Sequence, residues 1–404
     1  MKLLRSILHH YAKLYSSYNS SSLKGSWFEK LCWYYFKHDP LYKQRFTDVW
    51  LWHDWPGRQK RPDTGIDIVA RLHGENESFC AVQCKFYEEG HCVSKPEIDS
   101  FLSASGKEGF TERIIISTAE DWNKNAEDAI QNQQIPCTRI TLDDMEQSPI
   151  DWSCFDLDKL NDVHYRAAKI LREDQHKALH AVVDGLKAHD RGKLIMACGT
   201  GKTLTALRIS EKIAGRGKAV LFLVPSIALL NQTLLAWNAD QAEDIPLLSF
   251  AVCSDSTAGQ GKTEDIKITD LVCPPTTNAE ELIRSWNSLS LTAKSASMTV
   301  IFSTYQSLPV ISRAQAKGFP DFSLIVCDEA HRTTGVTLKD EEDSNFVKVH
   351  KNEYIRAEKR LYMTATPRLY KASQAKKAEE VGAVLCSMDN EELYGPELYR
   401  LSFS

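Results

Sequence analysis

Ala197-Cys198-Gly199-Thr200-Gly201-Lys202-Thr203 stands directly behind an apolar run, residues 193–196, and directly ahead of a stretch with helical spacing, residues 204–213. Strand, glycine-rich turn and helix in that order form the setting in which a phosphate loop works. Glycines let backbone N–H groups curl around phosphate oxygens, and the helix N-terminus adds a favourable dipole. Gly199, Thr200 and Gly201 would form the cradle. Lys202 can reach the β and γ phosphates of ATP, and Thr203 can offer its hydroxyl to Mg2+. The strict G-x-x-x-x-G-K-[ST] spacing is not met, because Met196 takes the first glycine's place. A second Gly-Lys-Thr, at residues 261–263, lies in polar sequence with no strand before it and is set aside.

Outward from the loop, apolar runs recur at residues 219–224, 299–303, 324–327 and 360–363, with helical stretches between them. Alternating strands and helices predict a parallel α/β sheet, whose ligands sit at the carboxyl ends of its strands. Asp328-Glu329-Ala330-His331 follows the run 324–327 and so faces the same edge as the phosphate loop. Asp328 suits holding Mg2+ through water, and Glu329 suits polarising the attacking water. An Asp-Glu pair at a strand end reads equally well as a solvated turn; the loop upstream decides for the nucleotide site. Residues 255–277, rich in Gly, Thr, Asp and Pro, read as a loop insertion on this scaffold.

The first 150 residues have a different pattern. Residues 27–36 have helical spacing, residues 66–70, 79–85 and 113–118 read as strands, and residues 123–134 as a helix. The acidic stretch 143–158, with Pro149, reads as the end of one domain. The expected divisions are a first domain over 1–150, a linker over 151–165, a nucleotide-binding domain over 166–386, and over 387–404 the approach to a further domain. Metal-dependent phosphodiester cleavage needs a carboxylate for Mg2+ and a lysine near the attacking water. Asp67 is such a carboxylate, and strand alternation puts Gln83 and Lys85 on one face. Ala81 and Val82 make this a buried strand, where a lysine is costly unless paired. The Cys84 carbonyl is a second candidate metal ligand and Glu29 a third carboxylate. On the residues alone, ordinary strand positions remain an open alternative. Trp50, Trp52 and Trp55 read as core packing before base stacking; Arg58, Lys60 and Arg61 suit either phosphate contacts or a solvated loop.

Composition bounds these readings. With 404 residues, a formal charge of −5, 43% hydrophobic and 25% charged residues, the chain has room for at least two cores. A strongly basic nucleic-acid-coating protein and a mainly disordered chain are excluded. The 11 cysteines are scattered without a C-x-x-C pair, which favours buried thiols in a reducing compartment over a zinc knot at Cys80, Cys84 and Cys92. Residues 1–13 lack the apolar core of a signal peptide, and no apolar run reaches the ~18 residues of a membrane span. A cytoplasmic protein with no membrane partner is expected.

Six segments in sequence order resemble the first RecA-like domain of superfamily 2 (DEAH-box) helicases and translocases. These are Leu171-Arg172-Glu173-Asp174-Gln175, Ala197–Thr203, Val224-Pro225-Ser226, Ser303-Thr304-Tyr305, Asp328–His331 and Thr364-Ala365-Thr366. The resemblance implies that Gln175 reads the adenine edge and that residues 364–366 couple hydrolysis to motion. Ahead of it, Gly25-Ser26-Trp27-Phe28-Glu29, Gly65-Ile66-Asp67 and Gln83-Cys84-Lys85 resemble the Mrr-type branch of PD-(D/E)xK nucleases, with Gln83 in place of the acidic residue. Ile115-Ile116-Ser117-Thr118 and Asn125-Ala126-Glu127 resemble the strand and helix that complete that core.

A nuclease core followed by a RecA-like NTPase domain is similar to the N-terminal part of single-chain type ISP restriction-modification enzymes. Asp54-Trp55-Pro56, Asp67-Ile68-Val69-Ala70 and Tyr394-Gly395-Pro396-Glu397-Leu398-Tyr399-Arg400 add to that likeness. It implies a motor that pulls double-stranded DNA toward a second, converging enzyme, and a methyltransferase and a target-recognition domain downstream. In this superfamily a second RecA-like domain supplies arginine fingers, and the residues after Arg368 are too few to form one. The expectation is a piece that binds ATP with little turnover. Two other readings remain: a DNA repair or RNA helicase whose N-terminal domain only binds, and a DNA-binding module that ATP switches.

Overall fold

The computed structural model describes residues 3–16, 21–59, 65–74, 77–107, 109–253, 267–338, 345–368 and 383–401. The chain forms two units, Met1–Ala168 with Lys267–Pro274, and Lys169–Ile266 with Pro275–Ser404. In the first, three helices, α1 (Leu3–Ser16), α2 (Ser21–His38) and α3 (Pro40–Arg45), lead into β1 (Phe46–Leu51), β2 (Ile68–Leu72) and β3 (Phe79–Lys85). Then come β4 (Cys92–Val93), α4 (Pro96–Ala104), β5 (Phe110–Ser117), β6 (Asp121–Trp122), α5 (Lys124–Ile130), β7 (Cys137–Ile140) and α6 (Leu142–Gln147).

Five strands make one sheet in the order β1-β2-β3-β5-β7. The first three pair antiparallel and the last three parallel. Residues 80–84 of β3 are all buried, as a central strand covered on both faces requires. Val69, Ala81 and Ile115 pack with Ile98 and Phe101 of α4 on one face. Phe28, Leu31, Cys32, Tyr35 and Phe36 of α2 are also fully buried.

Several local expectations shift. β2 begins at Ile68, which leaves Asp67 just ahead of it, its N–H bonded to the Val82 carbonyl at 2.9 Å. Trp52 starts a short 3-10 turn instead of extending β1, yet Trp52 and Trp55 are buried and Trp50 packs against the same core. α5 stops at Ile130, and Asn132 adopts a left-handed conformation with φ 51°. Lys60 and Arg61 lie outside the described residues.

The expected linker over 151–165 is instead fastened to the first unit. Ile150 bridges Tyr165, and the Asp151 N–H donates to the His164 carbonyl at 2.8 Å. The Tyr34 hydroxyl reaches the Asp162 carbonyl at 3.0 Å. Trp152 and Phe155 pack beside the Tyr34 ring. Apolar side chains inside an acidic stretch outweighed its composition, and the division falls after Ala168.

The expected insertion is likewise split. Residues 254–266, including the discarded Gly261-Lys262-Thr263, lie outside the described residues, while Lys267–Pro274 belongs to the first unit. There Leu271, Val272 and Cys273 are buried. Lys267 pairs with Glu127 at 2.8 Å, Arg139 Nε with Asp270 at 2.8 Å, and the Tyr42 hydroxyl donates to the Val272 carbonyl at 2.8 Å.

In the second unit, α7 (Glu173–Ala188), β8 (Arg191–Met196), α8 (Lys202–Ile213), β9 (Ala219–Val224), α9 (Ile227–Asp240) and β10 (Leu247–Val252) come first. They are followed by α10 (Ala279–Asn287), α11 (Leu291–Ala296), β11 (Met298–Thr304), α12 (Leu308–Ala316), β12 (Phe322–Cys327) and β13 (Gly335–Leu338). The last are α13 (Asn345–Lys348), β14 (Ala357–Thr364), β15 (Ala383–Cys386), α14 (Glu391–Tyr394) and β16 (Glu397–Leu401). Seven strands form the parallel sheet expected, ordered β10-β11-β9-β12-β14-β8-β16, while β13 and β15 form a separate ribbon.

The stretch expected to lead out of the domain is part of that sheet: β16 pairs with β8 from Glu397↔Lys193 to Leu401↔Met196. Its Leu398 fits where neighbouring elements have no side chain. A Cβ on Gly192 would stand 2.4 Å from Leu398 Cδ1, and one on Gly185 2.5 Å from Cδ2.

Candidate functional site

The phosphate loop leaves β8 at Met196 and turns through two left-handed glycines, Gly199 with φ +75° and Gly201 with φ +84°. The Thr200 hydroxyl and N–H both bond the Ala197 carbonyl, at 2.7 and 3.4 Å, which tightens the turn. Gly201 caps α8, so Lys202 and Thr203 open the helix. Lys202 Nζ lies 3.3 Å from the Met196 carbonyl and 3.9 Å from Glu329 Oε1. The acidic turn thus comes to the phosphate loop, as two carboxyl ends of one parallel sheet should.

Asp328 continues β12, its N–H bonded to the Leu223 carbonyl at 2.9 Å. Burial, and then the neighbouring Glu329, push the Asp328 carboxyl up to about 6. A cation placed beside it would draw it back down. Glu329 sits at φ 47°, a conformation that costs a non-glycine residue energy and tends to mark working sites. His331 Nδ1 lies 3.3 Å from Glu329 Oε2 and 3.1 Å from Thr364 Oγ1. Thr364 Oγ1 also accepts the Thr366 N–H at 3.2 Å. Asp328, Glu329, His331 and Thr364 are therefore joined in one polar cluster.

Gln175 is nearly fully buried, and protein groups hold both ends of its amide. Its Nε2 donates to the Thr200 carbonyl at 2.9 Å, and its Oε1 accepts the Arg172 N–H at 2.8 Å. It stands as a brace under the loop, and each end of its amide has a second hydrogen-bonding position besides. A cavity of about 410 Å³ lies beside it, lined by Ile170, Arg172, Gln175, Gly201, Leu207, Trp237 and others. Trp237, whose Nε1 donates to the Thr203 carbonyl at 3.1 Å, was not singled out from the sequence. Nothing in the α9 stretch marks it apart from an ordinary core tryptophan.

In the first unit, the Asp67 carboxylate accepts the Cys84 N–H at 2.6 Å, which ties it to the end of β3. Burial pushes the Cys84 thiol up, with Cys32, Asp67 and Glu29 acting in the same direction, which brings Glu29 into that neighbourhood. Gln83 Nε2 donates to the Gly65 carbonyl at 3.2 Å, while its Oε1 is buried without a hydrogen-bond partner. A buried acceptor left over is costly unless something meets it. Lys85 ends β3 half-buried. Among the described residues no group of three or more His, Cys, Asp and Glu side chains is arranged to hold a metal. The donors at hand are instead mixed oxygens, the Asp67 carboxylate, the Gln83 amide and the main chain at Cys84, a set that suits a hard cation such as Mg2+. All the cysteines are free thiols, with Cys92, Cys154 and Cys198 exposed and the others buried. No helix among the described residues is long and apolar enough to cross a membrane.

Residues 37–162 match the family described as a restriction endonuclease, and residues 168–369 match that of the type III restriction enzyme, res subunit. Among solved structures, the chain is similar to the ATP-dependent type ISP restriction-modification enzyme LlaBIII bound to DNA. The two are 40% identical with a TM-score of 0.78, over 97% of this chain and 25% of that one. A nuclease-deletion mutant of the type ISP enzyme LlaGI, in complex with a DNA substrate mimic, is also 40% identical, over 58% of this chain and 20% of that one, with a TM-score of 0.45. No curated protein matches. The chain thus spans about a quarter of the length of LlaBIII. With half of its own length matched to the res subunit, behind a stretch matched to a restriction endonuclease family, the chain belongs to the type III restriction enzyme res-subunit family, and over its own length it is similar to the type ISP enzyme LlaBIII.

Proposed function

We propose that this chain couples an ATP-driven motor on double-stranded DNA to a Mg2+-dependent DNA nuclease that acts against foreign DNA. The observation that carries the reading is the 3.9 Å approach of Lys202 to Glu329 at the shared sheet edge. Loop N–H groups and Lys202 hold the β and γ phosphates of ATP. Thr203 and Asp328 would hold Mg2+, which neutralises charge as the terminal phosphoryl group leaves. Glu329 orients the attacking water and takes its proton. The link from His331 to Thr364 passes the state of that carboxylate to β14. Gln175 braces the loop and, with the remaining N–H and lone pair of its amide, reads the edge of an adenine seated in the neighbouring cavity.

In the nuclease, Asp67, the Gln83 amide oxygen and the Cys84 carbonyl would hold Mg2+, which supplies Lewis acidity at the phosphate. Lys85 positions the attacking water and Glu29 adds negative charge beside the ligands. The longer architecture of LlaBIII supports further domains in the whole protein. These are a second RecA-like domain that closes the nucleotide site, a methyltransferase and a target-recognition domain, with a second enzyme converging on the same DNA. Such a restriction enzyme works in the cytoplasm.

Two substitutions separate the motor's steps. Lys202→Ala should weaken Mg2+-ATP binding by about tenfold or more, a loss of roughly 1.4 kcal/mol. Glu329→Gln should retain binding and stop hydrolysis. Calorimetry beside a phosphate-release assay, with and without duplex DNA, checks both. Wild-type binding unaffected by Lys202→Ala would sink the nucleotide assignment.

A further inference from the structure

Thr333 closes the acidic turn and is wholly buried. Its hydroxyl donates to the Ala330 carbonyl at 2.7 Å, which uses its only proton. The Tyr394 hydroxyl, 3.0 Å away, must therefore donate to it. On the main-chain side, His350 Nε2 lies 3.4 Å from the Thr333 carbonyl, and Nδ1 lies 2.8 Å from the Tyr362 hydroxyl. Burial lowers His350 to about 4, so the ring is neutral and carries one proton. That proton belongs on Nε2, toward Thr333, and Nδ1 accepts from Tyr362. The rings of His350, Tyr362 and Tyr394 pack with centroids 4.6 to 5.2 Å apart.

Tyr394 also begins the segment that ends in β16. Gly395 follows with φ +71°, and Arg191 Nη1 donates to the carbonyls of Glu392 and Leu393 at 3.2 and 3.1 Å. At the far end the Leu401 carbonyl accepts the N–H of Ala197, the first residue of the phosphate loop, at 3.2 Å. One eight-residue segment is thus bonded to the acidic turn at its start and to the phosphate loop at its finish. A phenylalanine at 394 would fill the same aromatic cluster but lack the hydroxyl that bonds Thr333.

We infer that Tyr394 is a positioning residue whose hydroxyl, through Thr333, couples the nucleotide state of the acidic turn to the edge strand β16. The inference rests on the proposal that this site binds Mg2+-ATP. Coupling between two sites is reciprocal and is commonly worth about fivefold or more in an equilibrium. The strand should therefore open less often when nucleotide is bound.

The test is amide hydrogen exchange at residues 397–401 of this 404-residue chain, with and without Mg2+-AMPPNP, beside calorimetry with the same probe. Nucleotide should slow exchange there by about fivefold or more. Tyr394→Phe should remove most of that slowing, leaving what the Leu401–Ala197 bond carries, and leave the AMPPNP dissociation constant nearly unchanged, because the opened strand is a rare state. Thr333→Val should behave alike, and Thr333→Ser, which keeps the hydroxyl, should restore the slowing. If Tyr394→Phe lowers the melting temperature but keeps the nucleotide-dependent slowing, the role is only structural and the inference is overturned. AMPPNP binding by the wild type without slowing also overturns it. Failure of the wild type to bind AMPPNP at all would instead bring down the nucleotide reading, and the inference with it.

Discussion

Gly199 and Gly201 share a left-handed backbone but face different surroundings, and the difference is measurable. A Cβ on Gly199 would meet nothing within 4 Å, whereas one on Gly201 would stand 2.2 Å from Gln175 Nε2. Alanine at 199 therefore carries only backbone strain, of order 1–3 kcal/mol. Alanine at 201 adds a collision that drives Gln175 off the Thr200 carbonyl. Titration with Mg2+-ATP should show Gly201→Ala losing affinity by about tenfold more than Gly199→Ala. Equal losses would mean that Gln175 does not brace the loop. The loop itself was legible because its signal is local, glycines and a lysine between a strand and a helix. The bracing role of Gln175 was not, since it depends on which groups the amide bonds, and spacing is silent on that. The same holds at Gln83, where the sequence marks the position but only the packed structure leaves Oε1 without a partner.

Among the elements, α4 has in its first turn a carboxylate, Glu97, that ties the helix to the segment before it. Glu97 Oε2 accepts the Ser94 hydroxyl and N–H, at 2.6 and 2.8 Å, and Oε1 meets His91 Nε2 at 3.0 Å. Burial alone would raise Glu97, but the two Ser94 bonds, with help from Tyr87 and His91, hold it down to about 2. A carboxyl lowered on folding stabilises the fold above its unfolded value near 4.5, and that contribution disappears as pH falls toward 2. With partial exposure discounted, Glu97→Gln should cost about 1 to 2 kcal/mol at pH 7. The gap to wild type should close progressively below pH 4.5, which denaturant midpoints across pH can follow.

A second element-scale expectation concerns β16. Gly192→Ala should destabilise the second unit by about 1 to 3 kcal/mol through overpacking on Leu398. Adding Leu398→Ala should recover part of that loss, a non-additivity that thermal melts can detect. The buried strand 219–224 was readable end to end, because a strand covered on both faces has a continuous apolar run. β16 was not, because Glu-Leu-Tyr-Arg-Leu becomes a strand only through a notch made by Gly185 and Gly192, some two hundred residues earlier.

At the level of the whole molecule, Lys85 and Lys202 belong to different units, each with its own hydrophobic core. Lys85→Ala should therefore abolish DNA cleavage by the full-length protein while Mg2+-ATP binding stays unchanged. A cleavage assay paired with calorimetry checks this, and undiminished cleavage would remove Lys85 from the proposed site. The chain passes between the units at three places, after Ala168, after Ile266 and after Pro274. The eight residues Lys267–Pro274 therefore complete a fold whose other members lie before residue 169. Fully burying Leu271 and Val272 is worth about 1.5 to 3 kcal/mol each, a sizeable share of an ordinary domain's net 5–15 kcal/mol. The first unit is thus not a cassette. A graft cut after residue 168 would leave behind a piece of its own core, and any transplant to another host must carry that strap along or supply it as a separate peptide.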